Sequence, residues 1–365
     1  MLTGLVVGKF CPLHRGHEAL IAFAAARCDR LVIVSYTNPE LGFPTGQRAA
    51  WLNTLFPQAD TLVLDDGVLA EFARRTGTIP RTLPHNDAPA EAHREFTGWA
   101  CRAMLETTID RVFTSEAYGD GFAAALTRYQ RASLGAGHIV DHVSFDPDRR
   151  RMPISGTALR GDPQGGREFL SPMVRSSLVQ RIGIIGGESS GKTTFARTLA
   201  DRLGTIWVPE YGRELWEQRV GDLRFGDMMD IALEQIAREQ AATEIANGWL
   251  PCDTTPLVTA FYSDAMFGRI APALSELALR TYDRVVVCAP DFTFVQDGTR
   301  QDAAFRQRQH GWYLQQLDRS GTPYSVLTGT VEDRCNRMIE LLAAHPSAGS
   351  ASAGIHVWCR KPFAN

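Results

Sequence analysis

Residues 8–17 read Gly-Lys-Phe-Cys-Pro-Leu-His-Arg-Gly-His, directly after a short apolar run and directly before a helical pattern. His14 and His17 therefore lie at the mouth of a helix, whose N-terminal amides favour anions. Gly8 lets the backbone approach a phosphate closely, Gly16 opens space between the imidazoles, and Lys9 and Phe10 complete the loop. Such a set suits a triphosphate whose α-phosphorus is attacked by a nucleophile. A later segment, ISGTALR at residues 154–160, opens another helix. Ser155, Thr157 and its free amides suit the β- and γ-phosphates, and Arg160 adds a forked guanidinium. No covalent enzyme intermediate is needed, since positioning and charge stabilisation carry an in-line transfer. Two histidines near a turn are often merely structural. The strand, the glycine, HxGH, the helix and the downstream ISxTxxR together point to nucleotidyl transfer.

A second constellation lies at Gly186, Gly187, Glu188, Ser189, Ser190, Gly191, Lys192 and Thr193, with Thr194 following. It satisfies GxxxxGK[ST] between an apolar strand pattern, RIGII, and a helical one, TTFARTLADRL. In that context the loop amides cradle phosphates, Lys192 reaches the β- and γ-phosphates, and Thr193 offers its hydroxyl to Mg²⁺. Glu210 and Asp253 close two apolar runs expected to flank the phosphate-loop strand. One carboxylate would hold Mg²⁺ and the other accept a proton from a substrate hydroxyl. Asp253 is assigned to the metal and Glu210 to the base or a ribose contact, with the exchange of roles open and helix capping a rival use for Glu210. Residues 297–309 carry Arg300, Arg306 and Arg308 and suit a lid over the phosphates, against a solvated charged helix. ATP is the expected substrate at both sites, and Mg²⁺ the expected cofactor.

The elements that must place these groups are legible in outline. Short β-branched runs alternate with longer helical patterns, the mark of parallel α/β folds. Candidate strands cover residues 5–7, 31–35, 61–64, 111–114 and 139–145, then 182–185, 206–208, 250–253, 284–289 and 324–327. The first helix should turn Leu20, Ile21, Ala24, Ala25 and Cys28 to one face. Five strands in each half predict two doubly wound parallel sheets with ligands at the strands' carboxyl ends. The expected domains are residues 1–170 and 180–340, joined near 162–179, with 345–365 a tail beginning as a small, polar linker.

At 365 residues the chain has room for two domains of about 150 each. Hydrophobic residues make up 44% and charged residues 22%, so disorder is excluded as the main state. The net charge of -3 gives no polybasic surface for nucleic acid. No apolar run approaches roughly 18 residues, and no signal-peptide layout opens the chain, so a cytoplasmic location is expected. Seven scattered cysteines without a CxxC pair argue against a disulfide framework or a zinc site.

GKFCPLHRGH with ISGTALR resembles the HxGH nucleotidyltransferases. GQRAAWLNTLFP, PHNDAPAEAHREFTGWA, VFTSEAYGD and PDRRRMPISGTALR resemble, in order, segments of NadR-type nicotinamide-nucleotide adenylyltransferases. IIGGESSGKTTFARTLA, VPEYGRELW, CDTTPLVTAFY and VQDGTRQDAAFRQRQ are similar to the ribosylnicotinamide kinase half of the same family. The resemblance covers the chain to about residue 340. It implies ATP, nicotinamide riboside and nicotinamide mononucleotide (NMN) as partners, with homo-oligomers open; an adenylyltransferase and kinase for another acceptor, such as a flavin or pantetheine phosphate, and a non-catalytic nucleotide sensor are the rival readings. It implies an aromatic residue stacked on nicotinamide; Trp99 is the choice, with a core tryptophan the rival. Arg48 and Arg151 are further phosphate candidates. Some members carry an N-terminal helix-turn-helix and act as repressors. This chain starts at the catalytic strand, so no nucleic-acid partner is expected.

Overall fold

A computed structural model describes residues 1–134, 137–162, 165–291 and 302–344. The chain divides into two compact units, Met1–Val174 and a second beginning at Arg175. The first unit runs β1 (Thr3–Val7), α1 (Arg15–Ala25), β2 (Arg30–Tyr36), α2 (Thr45–Leu55), β3 (Asp60–Leu64), α3 (Asp66–Thr76), α4 (Ala90–Ala103), β4 (Arg111–Thr114), α5 (Gly119–Leu134), β5 (Asp141–Ser144) and α6 (Gly156–Gly161). A single 3-10 turn (Arg167–Phe169) and α7 (Pro172–Ser177) follow, α7 spanning the boundary. The second unit runs β6 (Gln180–Gly186), α8 (Lys192–Leu203), α9 (Tyr211–Gln218), α10 (Asp227–Ala242), β7 (Trp249–Asp253), α11 (Pro256–Phe267), α12 (Pro272–Ala278), β8 (Arg284–Cys288), α13 (Ala303–Ser320), β9 (Ser325–Leu327) and α14 (Val331–Ala344).

Both sheets are parallel throughout. The first is ordered β3-β2-β1-β4-β5 and the second β7-β6-β8-β9. In each, the chain reverses direction at its first strand, which opens a crevice at the carboxyl end where a ligand fits. Strands covered on both faces must be apolar along their length. Ile182, Ile184 and Val286 accordingly pack on one side against Phe195, Leu199 and Met338. Their neighbours Ile185, Val285 and Val287 face Phe261 and Tyr313 on the other. In the first unit, Leu5, Val32, Val34 and Val112 share a core with Phe96 and Ala100 of α4.

Two expectations change here. Residues 206–208 form no strand among the described residues; Val208 makes one isolated parallel bridge, to Cys252 of β7. Glu210 therefore follows a segment on the outer edge of β7, and the phosphate-loop strand β6 is flanked by β7 and β8 instead. Val208 exchanges both of its backbone hydrogen bonds with β7, and the chain then turns at Glu210 into α9, so no ladder follows. On α1, Leu20, Ile21 and Ala24 are buried while Ala25 is exposed. Small alanines carry little apolar signal, so pattern reading overextends the face. The six described cysteines are free thiols. No described helix is long and apolar enough to cross a membrane.

Candidate functional sites

In the first unit β1 feeds a tight loop into α1. Phe10, with φ of 49°, turns inward and is buried with Cys11, Leu13 and His14. Its ring lies where a Cβ on Gly8 would fall, at 2.8 Å, so Gly8 is needed for the packing of Phe10 itself. His14 is the N-cap of α1, and its Nδ1 accepts the backbone N–H of His17 at 3.4 Å. A nitrogen that accepts carries no proton, so the neutral ring bears its hydrogen on Nε2. That Nε2 is buried and unpartnered.

The His17 ring stacks on His14 at 3.6 Å between centroids and meets the edge of Phe10 at 5.0 Å. Its Nδ1 is also buried without a partner. A Cβ at Gly16 would press on the His14 ring at 3.1 Å, which explains the glycine. Burial, then the positive charge of Arg149, pushes His14 down to about 4. Burial, His14 and Arg149 together hold His17 well below the usual imidazole range. Both rings are thus neutral donors near pH 7, awaiting an acceptor.

The second motif lies against this loop. The hydroxyl of Ser155 caps α6 by accepting the N–H of Ala158 at 3.1 Å. Arg160 donates through Nη1 to the carbonyl of Cys11 at 2.5 Å and through Nη2 to Thr157 Oγ1 at 3.1 Å. Ile154 stands 3.6 Å from where a Cβ on Gly16 would be. The structure therefore joins residues 8–17 and 154–160, separated by nearly the whole unit. Arg160 staples them together rather than standing open. Lys9 is exposed, while its carbonyl accepts from Ser35 Oγ at 3.2 Å and from Arg48 Nη1 at 3.5 Å.

Arg48 is not the solvated residue its charge suggests. It is 1% exposed and donates to the Phe43 carbonyl at 3.0 Å and to Ser35 Oγ at 2.7 Å, bracing the loop from behind. Arg151 is exposed, 6.0 Å over the Phe145 ring. Its neighbour Arg149, which the sequence reading missed, is the arginine acting on both histidines. Asp146 makes this possible by accepting the N–H groups of Arg150, Arg151 and Met152, which curls the loop. Asp146-Pro147-Asp148 carries a general turn signal, but nothing in it says which of the following arginines the turn brings to the histidines. Trp99 is half-buried among Phe72 and Phe96, with the Arg81 guanidinium 4.8 Å over its ring. One edge belongs to the core and one face already has a cationic neighbour.

In the second unit the phosphate loop links β6 to α8. Gly187 packs so closely on Arg306 that a Cβ would sit 2.9 Å from its carbonyl, and Gly191 takes φ of 78° as N-cap. Gly186 and Ser189 also have positive φ. Glu188 donates its N–H to Gln309 Oε1 at 2.9 Å, and its carboxylate accepts from Tyr262 at 3.0 Å. Ser190 Oγ and Lys192 Nζ donate to the Gly187 carbonyl at 2.7 and 3.1 Å. Thr194 is exposed on the first turn of α8. Thr193 Oγ1 donates to Asp253 Oδ2 at 2.6 Å, and Asp253 Oδ1 is buried with no partner. Burial and the nearby charge of Glu210 raise the Asp253 carboxyl to about 6.

An orphaned carboxylate oxygen beside a threonine hydroxyl fits a Mg²⁺ ion, which keeps phosphate and water among its ligands. No cluster of three His, Cys, Asp or Glu side chains suited to a metal occurs among the described residues. Thr193 and Asp253 would hold the ion together with a nucleotide's phosphates. Glu210 sits at the N-cap of α9 without making a side-chain cap bond, and its nearest cation is Arg213 at 3.8 Å. Its carboxylate is therefore not occupied by capping.

Of the lid arginines, Arg300 lies outside the described residues. Arg306 is 7% exposed, at the start of α13 against Gly187, and Arg308 is exposed over Phe305 at 5.0 Å. Sequence reading missed Arg334 of α14. Fully buried, it donates to the carbonyls of Ser190 at 2.5 Å and Ala289 at 3.0 Å, and to the Asp291 carboxylate.

Comparisons with known proteins bear on both units. A family model described as an AAA domain matches residues 181–334. The trifunctional NAD biosynthesis/regulator protein NadR of Escherichia coli is 30% identical over 311 residues, covering 81% of this chain and 71% of that one. A phosphopantetheine adenylyltransferase of Fusobacterium nucleatum is 24% identical over 165 residues, 43% of this chain and 100% of that one. Two solved structures of a NadR protein share the fold. One, in complex with NR, has a TM-score of 0.60 at 20% identity, covering 93% of this chain and 95% of that one. The other, with NAD and AMP-PNP, has a TM-score of 0.61 at 19% identity, covering 94% and 95%.

Proposed function

The chain belongs to the NadR family of NAD-biosynthesis proteins, and we propose that it makes NAD from nicotinamide riboside in two ATP-dependent steps. In the second unit the riboside's 5′-hydroxyl attacks the γ-phosphorus of ATP, giving NMN and ADP. In the first, the phosphate of NMN attacks the α-phosphorus of another ATP, giving NAD and pyrophosphate. The observation that carries this reading is the presence of two separate strand-to-helix phosphate cradles in one chain of this family. Each has buried polar atoms without partners: His14 Nε2 and His17 Nδ1 in one, Asp253 Oδ1 in the other.

In the first step Lys192 and the loop amides hold the β- and γ-phosphates. Thr193 and Asp253 would hold Mg²⁺, which would supply charge neutralisation at the phosphates. Glu210, a carboxylate near Asp253 with no cap to make, accepts the proton of the attacking hydroxyl. In the second step the neutral Nε2–H of His14 and the His17 ring donate to the oxygens of the α-phosphate as charge grows there. Ser155, Thr157 and the turn they open take the outer phosphates. Arg160 keeps the two motifs in register, and Trp99 is the aromatic partner of the nicotinamide ring. The first product is the second substrate, which gives the fusion its chemical sense.

Purified protein with ATP, Mg²⁺ and nicotinamide riboside should yield NMN, then NAD, with ADP and pyrophosphate in step, by mass spectrometry. A second reading has one observation in its favour: the phosphopantetheine adenylyltransferase matched over its whole length. That likeness covers 43% of this chain, whereas the NadR likeness covers 81%. Adenylylation of phosphopantetheine but not of NMN would favour it.

A further inference from the structure

Beside the acidic residues of the second unit, one buried amide has a donor and nothing to give it to. Gln235 of α10 is 1% exposed. Its Oε1 accepts the backbone N–H of Tyr211 at 3.0 Å, the first residue of α9. That bond fixes the amide, because turning it over would set NH₂ against N–H. The Nε2 is therefore held in one orientation, and it is buried without a hydrogen-bond partner. Leaving such a donor unmade is costly, and a native structure keeps one where something else will satisfy it.

Its surroundings say what that is. Tyr211 directly follows Glu210, whose charge acts on both Asp253 and the Tyr262 hydroxyl. Tyr262 in turn donates to Glu188 of the phosphate loop. Gln235 thus anchors α9 directly after Glu210, whose segment bridges to β7 and whose charge reaches Asp253. The ribose hydroxyls of a pyridinium riboside are donors, which the carboxylate of Glu210 suits, and its cationic ring suits the negative charge of Glu210 and Asp253. A carbonyl oxygen on the ring needs a donor instead.

We propose that Gln235 is a specificity-determining residue of the acceptor site, its Nε2–H donating to the carboxamide carbonyl of nicotinamide riboside. This rests on the riboside-kinase reading above. Gln235→Glu keeps an oxygen for the Tyr211 N–H while removing the donor. Calorimetric titration with nicotinamide riboside, followed by steady-state kinetics, should show Kd and KM for the riboside raised at least about tenfold. KM for ATP should stay within roughly twofold, a split that loss of an anchor alone would not give. Gln235→Met removes both polar atoms and should add a fall in kcat, since Glu210 then loses its support; it decides the matter if Gln235→Glu does not fold. Unaltered riboside affinity in a folded variant overturns the proposal while the wild-type activity stands. A wild type that neither binds nor phosphorylates the riboside overturns the kinase reading instead.

Discussion

At the scale of single residues, the stacked pair His14 and His17 makes a pH-dependent contribution whose sign is fixed by burial. His14 is lowered from 6.5 to about 4, and His17 well below its usual range. In the unfolded chain both take up protons below about 6.5. Between that pH and about 4 the unfolded state therefore binds more protons, and stability falls as pH falls; above 6.5 the contribution is fully present. His14 alone accounts for something on the order of 3 kcal/mol. Denaturant unfolding of the wild type and His14→Gln at a series of pH values should show a shallower loss in the variant across this window. Parallel curves would mean the ring is not held neutral. The residue types of both sites were legible beforehand, because HxGH and GxxxxGK[ST] state their chemistry locally. Arg149 was not, since its place depends on a turn built by Asp146 from backbone bonds that no spacing rule encodes.

At the scale of elements, the phosphate loop is held from the last helix. Arg334 of α14 joins the carbonyl of Ser190 to that of Ala289 and to Asp291, just past β8. Asp291 also accepts the N–H of Gly329 at 2.6 Å. Lysine has one ammonium and cannot fork across these acceptors. Arg334→Lys should raise KM for ATP in riboside phosphorylation by about tenfold, as for one lost charge-assisted bond, with adenylyl transfer unchanged. An unchanged KM for ATP in riboside phosphorylation would show that the brace has no bearing on the loop. A guanidinium 144 residues from its partner leaves no trace in sequence spacing. The same blindness applied to Arg48, whose charge suggested a phosphate and whose burial makes it a loop brace. Strand positions, by contrast, came through to within a few residues wherever a β-branched run was long enough. The run at 206–208 misled because only Val208 pairs.

Across the whole molecule, two parallel α/β units each end their first strand in a loop and a helix start, so one physical device serves twice. Parallel sheets with buried strands and regular crossovers are what alternating patterns encode best, which is why the fold class was readable before the packing. What could not be read is how side chains distant in the chain complete each cradle, as Arg160 does at Cys11 and Gln309 at Glu188. The proposed activities require the two cradles to act independently on successive forms of one metabolite. The most direct test feeds wild type, Lys192→Ala and His17→Ala with ATP, Mg²⁺ and either nicotinamide riboside or NMN, and follows products by mass spectrometry. Lys192→Ala should make no NMN yet convert added NMN to NAD nearly as wild type does. His17→Ala should accumulate NMN, with NAD formation down roughly 10²–10³-fold. Loss of both activities from either substitution, in a folded protein, would contradict the two-site account.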